Sequence, residues 1–301
     1  MKKQIRSRKW MVVAAAMMVA LFAVLFAGCA GNTGPIKVGA LCYHKFYTEK
    51  EIENGMELGT YTIMADEFEA HLKYLAEENI TVITVQQLLD YIDGKINLPE
   101  KCMLITVDDC DITFYQYAYP LLQKYGVTAN AAVIGNRSDG ASEGNAYRSY
   151  YSTWEQIREM AESGMVEFGA HTYYLHDKEN GRTGAMMKND EGVKTYRKVL
   201  KDDLLPLNEK IAQYVGYEPT FFVYPYYAVS MPSIPILRDD VGYRLLFCGN
   251  SESTFRYCGE SVHTTNYNLF QKGTEPEDIM IKRFTPRSGD DFPELINTIF
   301  N

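Results

Sequence analysis

Two aspartates stand side by side where an apolar run ends. Residues 104–111 read LITVDDCD, so a segment typical of a buried strand runs directly into Asp108 and Asp109. Burying one carboxylate costs free energy, and two adjacent carboxylates repel each other unless a positive group lies nearby. The pair therefore predicts a cationic partner. We expect a divalent metal ion that neutralises Asp109 and lets Asp108 stay ionised.

Two histidines could complete the site of such an ion. His171 and His176 lie in GAHTYYLH, at the end of another apolar segment. Five residues apart, their side chains would diverge by about 140° on a helix and face opposite sides of a strand. They can meet one ion only if the intervening TYYL turns. Two imidazoles and one carboxylate would suit zinc or a similar divalent ion, with positions left open for water and substrate.

The two aspartates are expected to have different roles, because successive side chains on a strand point in opposite directions. One carboxylate on the ion and one beside it is the arrangement that a hydrolase needs. The ion lowers the pKa of a water and polarises a carbonyl, while the free carboxylate takes the proton. The residue types alone thus favour metal-dependent hydrolysis.

The elements that must position these side chains alternate between strand and helix patterns. Helical periodicity covers residues 66–93 and 193–215, and polar loops are expected at 136–150 and 177–192. The apolar strand segments are IKVGALCY, CMLITV, VTANAAVIG, MVEFGAH, TFFVYPYY, YRLLFC and IMIKRF. This alternation predicts an α/β domain with parallel strands. The carboxyl ends of those strands would bring the aspartates, the histidines and YPYY to one rim.

Three segments carry a family resemblance. They are LPEKCMLITVDDCDITFYQYAYPLLQKYGVTANAAVIG, STWEQIREMAESGMVEFGAHTYYLH and TFFVYPYY. With the opening CYHKF, they resemble the polysaccharide deacetylases of the NodB-homology type (carbohydrate esterase family 4) over most of residues 38–285. The resemblance implies a distorted (β/α) barrel with zinc, cobalt or nickel at the carboxyl ends of its strands. It also implies removal of N-acetyl groups from the amino sugars of a polymer, by attack of water on the amide carbonyl.

The resemblance also assigns roles to individual residues. Asp108 would be the general base, and the backbone N–H of Tyr226 would stabilise the oxyanion. The metal ligands would be Asp109, His171 and His176. The residues expected near the substrate are His44, Pro225 and Arg283. Two other roles are open for Arg283: it could orient Asp108, or it could form a structural salt bridge.

The chain departs from the family pattern at three places. Cys110 follows the aspartates where glycine is usual, so it could shift the loop or offer a thiolate to the metal. Val223 stands where an arginine is often found before the PY pair. The late Leu-x-His motif that usually supplies the general acid is missing, and His263 is the only late histidine. Two alternatives therefore stay open: a catalytically silent glycan-binding relative, and an O-acetyl esterase, whose leaving group needs less help from an acid.

The N-terminal segment is typical of an exported protein. A basic MKKQIRSRK precedes an apolar stretch that ends in LFAGC, which resembles a bacterial lipobox. We expect a signal peptide over residues 1–28, a lipidated Cys29 that opens a linker over residues 29–36, and one catalytic domain over residues 37–301. An uncleaved membrane anchor is the alternative. Either way, the domain is expected to work outside the cytoplasmic membrane.

Composition narrows the class of partner. The chain has 301 residues, 46% of them hydrophobic, and a formal net charge of -9, with no basic block after the first ten residues. This distribution argues against nucleic acid. The expected partners are an acetylated polysaccharide, of the peptidoglycan or poly-N-acetylglucosamine type, and the membrane through the lipid anchor.

Overall fold

Parallel strands form the centre of the fold in the computed structural model, which describes residues 34–250, 267–273 and 280–301. The strands are β1 (Ile36–Tyr43), β2 (Lys45–Tyr47), β3 (Thr62–Met64), β4 (Thr81–Ile83), β5 (Lys101–Val107), β6 (Ala129–Val133), β7 (Val166–Ala170), β8 (Lys178–Glu179), β9 (Arg182–Thr183), β10 (Phe221–Val223), β11 (Leu245–Gly249), β12 (Asn268–Phe270) and β13 (Met280–Arg283). The main helices are α1 (Glu49–Glu53), α2 (Ala65–Glu77), α3 (Val85–Ile92), α4 (Tyr119–Tyr125), α5 (Gly135–Ser142), α6 (Trp154–Glu162), α7 (Val193–Val215) and α8 (Phe292–Phe300).

Seven strands follow one another around a nearly closed barrel. Their order is β1, β5, β6, β7, β10, β11 and β13, and every neighbouring pair is parallel. The two ends meet where Leu41 of β1 bridges Phe284, just after β13. β4 pairs with the first half of β5, and β12 runs antiparallel to β1. The predicted distorted α/β barrel is confirmed, and the carboxyl ends of its strands lie at one rim.

Alternate side chains of the barrel strands belong to two separate apolar cores. Leu104 of β5 shares one core with Ile281 of β13 and with helix α3. Its neighbour Ile105 joins the larger core, to which several other helices contribute. Strands covered on both faces read as continuous apolar runs, as CMLITV does. Continued along each strand, the alternation places Asp108 on the side of Leu104 and Arg283 on the side of Ile281, so both point into the barrel.

The structure corrects two predictions of secondary structure. Strand β4 interrupts the helical pattern over residues 66–93, because its pairing with β5 overrides the local periodicity. Residues 136–150, expected to be a loop, contain helix α5 and a 3-10 turn. Packing between these two elements outweighs the low helix propensity of their glycine and polar residues. The segment 177–192 holds the short strands β8 and β9, and the helix predicted over residues 193–215 is α7.

The part of the chain that the structure describes contains no helix with the length and hydrophobicity needed to cross a membrane. The predicted signal peptide over residues 1–28 and the lipidation site Cys29 lie outside the described residues.

His71 gives the fold a predicted sensitivity to acid. Its buried ring stacks on Phe292, with 3.7 Å between ring centroids, and its Nδ1 lies 3.0 Å from the hydroxyl of Tyr43. Burial lowers the pKa of His71 from 6.5 to about 4. The unfolded chain therefore takes up a proton before the folded protein does. Stability should be unaffected above the unfolded pKa and should fall by about 3 kcal/mol as the pH drops from there through the folded pKa.

His71→Phe should remove this part of the pH dependence, since the variant has no group to titrate there. Urea unfolding of both proteins at neutral pH and near pH 4 measures the difference. An equal loss of stability on acidification in wild type and variant would contradict the prediction.

Candidate active site

Asp108 is paired with an arginine from strand β13. Asp108 is 2% exposed and Arg283 is 1% exposed. Arg283 Nη1 donates to Asp108 Oδ1 at 2.6 Å, and Nη2 donates to Oδ2 at 2.9 Å. Nη1 also donates to Thr106 Oγ1 at 2.9 Å. Although burial raises the pKa of Asp108, the charge and hydrogen bonds of Arg283, together with smaller contributions from His171 and His44, outweigh it and hold the pKa below its usual value. The cation that keeps Asp108 ionised is thus a guanidinium, whereas the sequence analysis assigned that task to a metal ion.

Two more side chains contact the same carboxylate from the side of β1. Cys42 Sγ lies 3.5 Å from Asp108 Oδ2, and His44 Nε2 lies 3.7 Å from that oxygen. Burial raises the pKa of Cys42 to about 12, so its thiol is neutral and donates to the carboxylate. The ring of His44 contacts the exposed ring of Tyr61 in a tilted arrangement, with 4.6 Å between centroids and 48° between the ring planes. His44 therefore lies between the buried carboxylate and the surface.

The chain leaves β5 in a turn that gives the two aspartates different directions. Asp109 and Cys110 adopt left-handed backbone conformations, with φ of 70° and 54°. Residues other than glycine seldom do so, and such strain is concentrated at functional sites. The Cys110 thiol donates to Ala132 O at 3.6 Å, and burial raises its pKa well above the usual value. Cys110 thus adopts the turn for which glycine was expected, and this geometry rules out its thiolate as a metal ligand.

Asp109, His171 and His176 converge on one point at the rim. Asp109 Oδ1 lies 3.3 Å from Nε2 of each histidine. The segment between the histidines does turn, starting at Thr172 with a left-handed φ of 83°. The three residues predicted to be ligands are therefore assembled around a common centre.

The three donor atoms fit a divalent cation. His171 Nδ1 lies 2.8 Å from Val223 O, a contact that places the ring proton on Nδ1 and turns the lone pair of Nε2 toward Asp109. Asp109 Oδ1 is buried and accepts no hydrogen bond from any residue that the structure describes. The donor atoms lie within 4.8 Å of one another. A cation among them would satisfy the carboxylate oxygen and both imidazoles at once.

Comparison with known proteins identifies the family that carries this arrangement. A family model described as polysaccharide deacetylase matches residues 95–245, just over half of the chain. The chain belongs to the polysaccharide deacetylase family. The matched region contains both aspartates, both histidines and strand β10.

Two curated relatives share one name, poly-beta-1,6-N-acetyl-D-glucosamine N-deacetylase. The protein from Staphylococcus aureus (strain NCTC 8325 / PS 47) is 27% identical over 194 residues, which are 64% of this chain and 61% of the relative. The protein from Escherichia coli (strain K12) is 25% identical over 228 residues, which are 69% of this chain and 33% of the relative. The chain therefore spans less than two thirds of the length of these relatives.

Solved structures share the fold. IcaB from Ammonifex degensii superposes with a TM-score of 0.66 at 24% identity and covers 88% of this chain and 98% of its own. A de-N-acetylase from Aggregatibacter actinomycetemcomitans gives a TM-score of 0.70 at 23% identity, with 87% of this chain and 99% of its own covered. Both likenesses support the barrel architecture.

Two residues that the resemblance placed near the substrate are buried in this deacetylase-family chain. Arg283 is buried and donates two hydrogen bonds to Asp108, which fits the alternative role, orientation of Asp108; its predicted contact with the substrate stays a prediction. Pro225 packs on Gly184, where an added Cβ would come within 2.8 Å of the proline ring. The Pro225 side chain therefore shapes the turn, and its predicted place near the substrate stays a prediction.

Tyr226 lies at the rim beside the ligands. It is 43% exposed, and its ring centroid is 5.3 Å from that of His176. Its φ of 58° turns the chain sharply after β10. Lys178 Nζ lies 4.6 Å from the centre of its ring. The predicted role of the Tyr226 backbone N–H as oxyanion donor stays a prediction.

Sequence reasoning missed several residues that support the site. Arg137 Nη2 donates to Asp177 Oδ2 at 2.5 Å, and Asp177 Oδ1 lies 3.8 Å from Nδ1 of the ligand His176. Asp203 of helix α7 binds the backbone between the two histidines. The only signal for Arg137 and Asp177 was their place in the polar segments 136–150 and 177–192, and Asp203 had none. His263, the late histidine, lies outside the described residues.

Proposed function

We propose that this protein is a metal-dependent N-deacetylase of an extracellular polysaccharide of the poly-β-1,6-N-acetylglucosamine type. The observation that carries the proposal is an ionised carboxylate, Asp108, held by an arginine directly beside a three-ligand cation site. The shared name of the two curated relatives supports the polymer and the N-acetyl group. Zinc suits two imidazoles and one carboxylate, and cobalt or nickel can use the same ligands.

In the proposed reaction, Asp108 acts as general base. Its carboxylate accepts a proton from the water that attacks the acetyl carbonyl, and Arg283 keeps it ionised and in one orientation. A divalent ion on the three ligands would polarise that carbonyl and lower the pKa of the water. The N–H of Tyr226 would donate to the oxyanion that forms.

His44 is proposed to assist the departure of the amine. Its Nε2 is 3.7 Å from Asp108 Oδ2, longer than a hydrogen bond, and we expect this distance to shorten in the substrate complex. His44 would then receive the proton that Asp108 has taken up and pass it to the sugar nitrogen as the C–N bond breaks. The products are acetate and a free amino sugar. The chain then returns to its starting state with Asp108 ionised.

Two exposed tyrosines are proposed to hold the sugar. Tyr61 is 47% exposed and covers His44, while Tyr226 is 43% exposed and lies beside His176. They therefore flank the base and the ligand set. Aromatic rings in such positions offer apolar area and a polar edge at little entropic cost. A hexosamine ring is the chemical group that fits against them.

Tyr61→Ala is expected to raise KM for N-acetylglucosamine oligomers about fivefold with little change in kcat, since a ring contact is worth about 1 kcal/mol. Tyr61→Phe keeps the ring and should stay close to wild type. Steady-state acetate release from a tetramer measures both parameters. A wild-type KM in Tyr61→Ala would remove Tyr61 from the substrate site.

The proposed activity is tested by acetate release from the full chain in detergent. Poly-β-1,6-N-acetylglucosamine, peptidoglycan and acetylated xylan are the substrates, before and after treatment with a chelator and after return of zinc, cobalt or nickel. We expect release from the first polymer that is lost with the chelator and restored by metal. Release from the xylan ester alone would favour the O-acetyl esterase. No release from any polymer, with an ion bound, would favour the silent glycan-binding relative.

We also propose that the protein is exported and anchored to the cell membrane by a lipid on Cys29, on the strength of the basic and apolar N-terminus and the LFAGC sequence. Cys29→Ser should lose a fatty-acid label that the wild type incorporates. A wild type that carries no label would contradict lipidation and leave the uncleaved anchor.

A further inference from the structure

The loop between the two histidine ligands is held by one buried carboxylate from helix α7. Asp203 is 6% exposed. Its Oδ2 accepts the backbone N–H of Tyr173 at 2.7 Å, and its Oδ1 accepts the backbone N–H of Tyr174 at 2.7 Å. We infer that Asp203 is a positioning residue of the cation site, which folds the segment between His171 and His176 so that both imidazoles face Asp109.

The geometry of the two histidines shows why such an anchor is needed. Neither a strand nor a helix brings residues five apart to one point. The chain turns at Thr172, with φ of 83°, immediately before the two amides that Asp203 binds. Consecutive N–H groups that point at one anion form a concave nest, and the anion fixes that otherwise unfavourable backbone shape. The sequence predicted a turn between His171 and His176, and Asp203 stabilises that turn.

The free energy needed to bury the Asp203 carboxylate indicates that position 203 is an aspartate because it binds these two amides. Among the residues that the structure describes, no lysine, arginine or histidine forms an ion pair with it. A buried carboxylate without an ion partner is expensive, and here backbone amides are its partners. Burial also raises its pKa. For stability alone, an apolar residue would fit the leucine-rich stripe of α7 better. We therefore attribute the aspartate to its contact with the loop between the two histidines.

The loop is fixed on its other side by backbone contacts. Gly135 N donates to Thr172 O at 3.1 Å, and Asn136 N donates to Tyr173 O at 3.1 Å. The start of helix α5 and the side chain of Asp203 therefore hold the loop from opposite edges. With both in place, the spacing of the two Nε2 atoms is set before any ion binds. Because outer partners of metal ligands typically change metal affinity 10- to 100-fold, the same range of effect is expected here.

The inference rests on the proposed cation site, and Asp203→Asn tests it. The amide keeps the volume but can accept only one of the two N–H groups. We expect zinc affinity, measured by competition with a chromogenic chelator, to fall about 10- to 100-fold. The absorption spectrum of bound Co²⁺ should change as well, because the imidazoles no longer sit at fixed positions. Neither readout depends on activity.

Asn208→Ala is the matched control. Asn208 is buried on the same helix to the same extent and accepts a hydrogen bond from Tyr243 at 2.6 Å, but it does not touch the loop. This variant should lose stability in urea while keeping the zinc affinity and the Co²⁺ spectrum. Wild-type affinity and spectrum in Asp203→Asn would overturn the inference.

Hydrogen exchange of the wild type tests the inference without any substitution, which covers the case that Asp203→Asn does not fold. In the metal-free protein, the amides of Tyr173 and Tyr174 should exchange as slowly as those of the barrel strands. Fast exchange there, slowed only when zinc is added, would mean that the ion and not Asp203 orders the loop. A wild type that binds no divalent ion would instead reject the proposed function.

Discussion

Replacing Asp108 with asparagine is expected to lower kcat for acetate release by about 10²- to 10⁴-fold, the contribution of a positioned general base. The amide has nearly the same shape as the carboxylate, but it cannot accept a proton from water. The three cation ligands stay in place, because the turn at Asp109 and the contact between His171 and Val223 do not involve the Asp108 side chain. The loss should therefore lie in kcat, with zinc affinity unchanged.

Asp111→Asn provides a control with the same chemical change in the same turn. Asp111 Oδ1 accepts hydrogen bonds from the N–H and the hydroxyl of Thr113, at 2.9 and 2.7 Å, and so caps the following segment. Its replacement should change kcat by only a few fold. Single-turnover measurements at saturating substrate compare the two variants directly. If Asp108→Asn retained most of the wild-type kcat, another group would be the base, and His44 would be tested next.

The barrel could be predicted because it depends on local patterns. CMLITV, VTANAAVIG and the later apolar runs are long enough to identify parallel strands, and the helix over residues 193–215 has one clear apolar stripe. The sequence did not predict strand β4, because its three residues become a strand only through pairing with β5. Helix α5 was missed for a related reason, since its glycines and polar residues are held in a helix by packing.

Without the family resemblance, the site could be predicted only where its residues lie together in the sequence. Adjacent aspartates and two nearby histidines point to a cation site without any structure. By contrast, the residues that hold them come from distant segments: Arg283 is 175 positions from Asp108, and Asp203 is 29 positions from Tyr174. Such contacts depend on closure of the barrel and on how α7 lies across it. Composition and periodicity carry no information about either.

Arg283→Met is expected to weaken both the fold and the reaction. The substitution removes both hydrogen bonds to Asp108 and leaves a buried carboxylate without its partner, which typically costs about 3–5 kcal/mol. Without the guanidinium, burial dominates, so the pKa of Asp108 rises and the ionised base becomes scarce. The Asp108 carboxylate is also free to rotate once the guanidinium is gone. Misplacement of a reacting group by about 1 Å can lower the rate 100-fold. We therefore expect a large fall in kcat together with a lower urea midpoint.

The double variant Asp108→Asn with Arg283→Met separates the two effects. In this protein the lone buried charge is gone, so the free energy of unfolding should rise above that of Arg283→Met alone, while activity stays at the level of Asp108→Asn. Recovery of stability without recovery of activity would show that the ion pair serves to keep a buried base ionised and oriented. It would also show that burying the two charges costs free energy that an uncharged pair does not. A double variant no more stable than Arg283→Met would mean that the arginine supports the fold through Thr106 and the Cys248 carbonyl, independently of Asp108.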